Sequence, residues 1–110
     1  MNTETYLSNN PIVNSFINEV NQKIKEYYET NLPNLPHQQL EVSVGSKFIK
    51  LVHKTTVWGF ISRYDGVYKG APVKKGDLLK PASWASPAKH SRGSIIDGTA
   101  KYGVYGPTYM

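Results

Sequence analysis

The residues best equipped for chemistry crowd into one run, "ASWASPAKHSRG", residues 82–93. Ser83 and Ser86 carry hydroxyls, Lys89 and Arg92 carry full positive charges, and Trp84 and His90 offer flat rings. Lys80 stands just before the run. Hydroxyl donors, cations and rings together match a phosphate joined to a base. Local signals sharpen that expectation. Ser86 followed by Pro87 reads as a helix N-cap with proline at the first helical position, and Gly93 as the left-handed stop. The spacing therefore predicts a short helical turn over 88–92, with free N–H groups and partial positive charge at its start to hold a phosphate. The same residues also suit a tight connection in which Trp84 fills the core and the charges face water.

Other chemistries find less support. His90 is a candidate general acid or base, with Lys89 or Arg92 steadying a developing phosphate charge and His53 a distant partner. No second acid or base is placed beside His90 by spacing, so no catalytic residue is assigned. The chain has no cysteine, and His37, His53 and His90 do not fall at the spacing of a metal pair. No metal and no cofactor are expected. The glycine-rich tail "DGTAKYGVYGP", residues 97–107, lacks the spacing of a phosphate-binding loop. Its Lys101 is interleaved with tyrosines; Tyr102 reads as a strap onto the body of the fold, and Tyr105 as a candidate for stacking on a base.

The elements that must position these groups follow from periodicity. Ile12, Val13, Phe16, Ile17, Val20, Ile24, Tyr27 and Tyr28 recur at helical spacing, which predicts an amphipathic helix over 10–31 with Asn10 as its cap and Pro11 in its first turn. Residues 32–39, with two prolines, read as a linker. Residues 40–110 read as a basic sheet region containing the candidate loop at 80–98. Leu40, Val42 and Val44 alternate with polar neighbours; Phe48, Ile49, Leu51 and Val52 form a second strand, and Val57 to Ile61 a third. Asp65-Gly66 reads as a hairpin turn, Val67 and Tyr68 as the start of a short strand, residues 70–77 as a loop, and 77–80 as a last strand. Gly59, inside a strand, signals a bulge or the close approach of another group, with Trp84 or the helix as candidates. Turns this closely spaced require antiparallel pairing. The expected fold is one α+β domain spanning 1–110: a twisted antiparallel sheet of four to five strands, packed by one long N-terminal helix, with a short C-terminal helical turn.

At 110 residues and 39% hydrophobic content, the chain suits one globular domain, and no apolar run reaches membrane-spanning length. The opening "MNTETYLSNN" lacks the charged-then-apolar pattern of a secretory signal. The net charge of +5 is unevenly placed. Residues 1–40 hold two lysines against four glutamates, and residues 41–110 hold eleven basic residues against four acidic ones. A basic sheet region favours anionic partners.

Residues 74–97, "KKGDLLKPASWASPAKHSRGSIID", resemble a pattern in small proteins encoded by tailed bacteriophages: Gly-Asp, a basic residue, Ala-Ser-Trp, Pro-Ala-Lys, then Arg-Gly. "GSKFIKLV" and "VWGFI" are similar to the same group, so the resemblance covers 41–106. It implies a phage origin, the cytoplasm of an infected bacterium, and a protein that modifies or blocks a host process. It carries over no catalytic role.

The expected function is binding of a phosphate-bearing nucleotide without chemistry, in the manner of a module that sequesters a host immune signal. Lys80, Ser83, Trp84, Ser86, Lys89, His90, Arg92 and Tyr105 are the candidate ligand-binding residues. Two alternatives stand beside it. Nucleic-acid binding would spread the contacts over a sheet face with Lys47, Lys50, Lys54, Lys74 and Lys75 contributing. A protein-interaction role, against a host factor or within a virion, would use the helix and the strand edges. A homo-oligomer would be one way to complete a pocket. No membrane partner is expected.

Overall fold

The computed structural model describes residues 11–36, 38–104 and 106–108. Helix α1 spans Pro11–Asn31. Val13, Phe16, Val20 and Ile24 are its buried residues, one stripe at the spacing expected of an amphipathic helix. The Asn31 side chain donates to the Tyr27 carbonyl at 3.1 Å, and the Leu32 N–H donates to the Tyr28 carbonyl at 2.8 Å, which closes the last turn. Asn10, the expected cap, lies outside the described residues, as does His37 in the linker. The Leu40 N–H donates to Asn21 Oδ1 at 2.8 Å, tying the end of the linker back to the helix.

Among the described residues, nine strands follow: β1 Glu41–Val44, β2 Phe48–His53, β3 Thr56–Ser62, β4 Gly66–Tyr68, β5 Ala71–Val73, β6 Asp77–Pro81, β7 Pro87–Ser94, β8 Tyr102–Gly103 and β9 Gly106–Pro107. The main sheet runs β1-β2-β3-β6-β7, and β4-β5 and β8-β9 form two small pairs. All the pairings are antiparallel. The fold is thus α+β, with one N-terminal helix on a multi-stranded antiparallel sheet.

Both faces of the sheet are covered, which explains the unbroken apolar run "VWGFI" in β3. On the inner face, the helix stripe packs with Leu40, Ile49, Leu51, Trp58, Ile61 and Leu78. On the outer face, Val57, Phe60 and Leu79 pack with Val73 of β5, flanked by Phe48, Tyr64 and Tyr68. The β2-β3 register shifts between Leu51 and Val52. The C-terminal strap closes the inner side. Tyr102 meets Phe16 and Trp58 edge-on at 5.1 and 6.0 Å, and Trp58 Nε1 donates to the Val104 carbonyl at 3.0 Å.

Four sequence expectations need correction. Residues 88–92 are not a helical turn; they lie in β7, paired with β6 through Pro81↔Pro87, Leu79↔Ser91 and Asp77↔Ser94. Pairing wins because a single isolated turn fixes several dihedrals for one hydrogen bond. Pro87 fits the first residue of an edge strand as well as the first turn of a helix, and its carbonyl accepts from the Tyr68 hydroxyl at 2.9 Å. Gly93 keeps its positive φ of 94°, but at the end of a strand, where a Cβ would collide with the Thr99 carbonyl. Asp65-Gly66 is not the tight turn: Asp65 Oδ1 accepts from the Lys75 N–H at 2.8 Å. The hairpin turn is Lys69-Gly70, with φ of 49° and 82°, and residues 71–73 of the expected loop form β5. Gly59 is approached neither by Trp84 nor by the helix but by Pro107, whose Cγ would lie 2.9 Å from an added Cβ.

Candidate functional site

One cross-strand row of the outer face runs Ser43, Lys50, Phe60, Leu79 and Ser91, from β1 to β7. Lys50 and Phe48 share this face because side chains alternate along β2. The β6-β7 connection folds over the row. Its base is fixed by the Ser86 carbonyl, which accepts from the Ala82 and Ser83 N–H groups at 2.9 and 3.1 Å. Its crest carries Trp84, 58% exposed. Lys50 Nζ sits 3.8 Å from the centre of the Trp84 ring. That cation–π contact contributes about 0.5–1 kcal/mol at an exposed site and holds the indole in one orientation.

Two grooves flank the connection. One, about 320 Å³, is lined by Ser43, Lys47, Phe48, Lys50, Phe60 and Ala85. The other, about 340 Å³, is lined by Thr55, Thr56, Val57, Pro81, Ser83 and Trp84. The first groove is cationic and backed by aromatic rings. Lys47 Nζ lies 5.8 Å over Tyr64, and Phe48 meets Phe60, Tyr64 and Tyr68 edge-on at 6.2, 5.9 and 5.0 Å. Among the described residues, neither Lys47 nor Lys50 is paired with a carboxylate. The second groove offers three hydroxyls beside an open indole. Charge, hydroxyls and exposed ring suit a ligand with phosphates along one stretch and a base on the other.

The candidate residues from the sequence divide. Ser83 and Trp84 come together on the connection, with Ser86 at its base. Lys89 and His90 are exposed on edge strand β7, and Arg92 is half-buried there. Lys80 is directed away, to the inner side, where Nζ donates to the Pro107 carbonyl at 3.0 Å and anchors the strap. Tyr105 lies outside the described residues. Because 87–94 is a strand, the helix N-terminus expected to cradle phosphate is not there. Lys50 is not in the loop-centred set; from sequence it counts, with Lys47, only as a sheet-face contributor to nucleic-acid binding, and its contact with Trp84 is what the fold adds. Thr55 and Thr56 gave no signal, since only the folded hairpin brings them to Trp84.

No group of His, Asp or Glu side chains among the described residues is arranged to hold a metal ion. No described helix is long and apolar enough to cross a membrane. No curated protein and no solved structure matches the chain. Residues 9–106 match DUF7717, a family of unknown function, and the chain belongs to that family.

Proposed function

We propose that this DUF7717 member binds a phosphate-bearing nucleotide ligand in the form of a short single-stranded nucleic-acid segment, laid over the β6-β7 connection and along the grooves beside it. The observation that carries the reading is the exposed Trp84 ring held by Lys50, with Lys47 farther along the same groove. An aromatic platform next to a line of cations is how sequence-tolerant single-strand binding works: bases stack and phosphates follow the charge. A mononucleotide held at a helix start is the weaker reading, because its phosphate cradle depended on the helical turn that β7 replaces. Open grooves on both sides of the connection favour an extended ligand over a closed pocket. Lys89, on the adjacent edge strand, extends the positive field.

The phage resemblance of residues 74–97 belongs to the same proposal. The setting is the cytoplasm of an infected bacterium, and the effect is to occupy a host or viral single strand. The test is fluorescence anisotropy with a labelled oligothymidylate, an unlabelled duplex and mononucleotides as competitors. Trp84→Ala is expected to weaken oligothymidylate binding about tenfold or more, in line with ~1–3 kcal/mol for one stacked base. Lys47→Ala/Lys50→Ala is expected to weaken it and flatten its salt dependence by roughly 0.7 per lost phosphate contact. Mononucleotides that compete as well as the oligomer would instead support a small-ligand site.

A further inference from the structure

A separate cavity lies on the other side of the β2-β3 turn. It measures about 260 Å³ and is lined by Tyr28, His53, Lys54, Thr55, Thr56, Trp58 and Val104. Its two halves differ in chemistry. Trp58, Tyr28 and Val104 give it an apolar, aromatic wall, with Trp58 only 2% exposed. The turn supplies the polar half: the Lys54 ammonium, two threonine hydroxyls and the His53 imidazole.

Three features of the polar half point to a ligand. Lys54 Nζ sits 4.8 Å over the Tyr28 ring and, among the described residues, pairs with no carboxylate. His53 Nε2 is buried and has no hydrogen-bond partner. Buried polar atoms are nearly always partnered, so an orphan is a place where a ligand atom or water belongs. The backbone supplies the third feature. His53 and Thr56 close the hairpin around Lys54 and Thr55, and Lys54 takes a φ of 59°. That left-handed conformation is costly for a side-chain-bearing residue and easy for glycine. Lys69 takes the same conformation in the β4-β5 turn, so the left-handed φ belongs to a tight hairpin; at Lys54 it also sets an ammonium at the cavity.

We propose that this cavity binds a small aromatic carboxylate. The carboxylate meets Lys54 and the hydroxyls of Thr55 and Thr56, and the ring packs against Tyr28, Trp58 and Val104. The exposed ammonium, stacked on Tyr28 and facing no carboxylate among the described residues, suits the negative charge, and the apolar wall suits the ring. A cavity of this size admits a single ring and excludes a nucleotide. Burial, and secondarily the Lys54 charge, lower the His53 pKa from its usual 6.5. A neutral imidazole therefore lines the site at pH 7, and Lys54 is its charged member.

The experiment is an NMR titration of the full chain with benzoate, using benzamide as the uncharged counterpart. Benzoate is expected to shift the His53 and Trp58 ring resonances saturably, with a Kd on the order of 1 mM, and to leave the Trp84 indole unmoved. Benzamide is expected to bind about tenfold more weakly or worse. Lys54→Gly relaxes the turn, so its melting temperature is expected to equal or exceed that of the natural chain, while benzoate affinity falls about tenfold. Lys54→Asn, which also tolerates a positive φ, provides the same comparison if the glycine variant folds poorly. No saturable shift at His53 and Trp58 overturns the proposal. So does benzamide binding as tightly as benzoate, or a folded Lys54 variant that keeps full benzoate affinity.

Discussion

The two tryptophans have opposite roles. Trp58 is a core residue: it is 2% exposed, packs against Phe16 and Tyr102, and is hydrogen-bonded to the strap. Trp84 is held in the open by a lysine. An exposed indole contributes little to stability, so its placement points to recognition. His53 shows a different constraint at this scale. Burial is the main force that lowers its pKa, and the adjacent Lys54 charge adds to it. Below its ordinary pKa of 6.5, the unfolded chain binds a proton that the folded protein resists. Stability is therefore full above that pH and falls with acidification towards the depressed folded value. Titration of the His53 ring by NMR is expected to give a pKa below 6.5. His53→Gln is expected to flatten the fall in melting temperature over the same acidic range. A ring that titrates at or above its ordinary value would show that the imidazole is not desolvated as described.

At the scale of elements, the strap and the β6-β7 connection divide the work. The strap completes the inner core: Pro107 sits against Gly59, and its carbonyl takes the Lys80 ammonium. Gly59→Ala is expected to destabilise the protein by about 1–3 kcal/mol in urea unfolding, despite alanine's better fit to strands, because the new methyl overpacks against a rigid ring. An equally stable variant would mean that the strap does not sit on β3. The helix was legible in the sequence because Val13, Phe16, Val20 and Ile24 encode it locally, and β1 to β3 because their alternation and turn signals are local too. Residues 87–94 were not legible because Ser86-Pro87 and Gly93 are compatible with a cap and stop or with a strand beginning and ending. Only pairing with β6 decides between them. The contacts Gly59–Pro107 and Lys50–Trp84 join distant parts of the chain, which no local pattern encodes. The site was thus half legible: Ser83 and Trp84 stood out in the loop and Lys50 on the sheet, but nothing local joined the lysine to the indole.

For the whole molecule, the sheet separates two surfaces. The inner side is closed by the helix and strap, with the His53 cavity at one hairpin tip. The outer side combines the Trp84 connection, Lys47 and Lys50, and the aromatic cluster around Phe48. The net charge of +5 rests on an excess of basic residues in 41–110, of which Lys47 and Lys50 line the groove on this side while Lys80 anchors the inner strap. The binding proposed above would draw on that excess to steer an anionic polymer and to set its salt dependence. The two indole N–H resonances offer a direct view of which surface is used. Their NMR titration with a short oligothymidylate is the most direct test. Movement of the Trp84 indole together with Lys47 and Lys50, while the hydrogen-bonded Trp58 indole stays still, is the predicted result. An unmoved Trp84 at saturating oligonucleotide, or binding that shifts only residues of the helix side, would contradict the account.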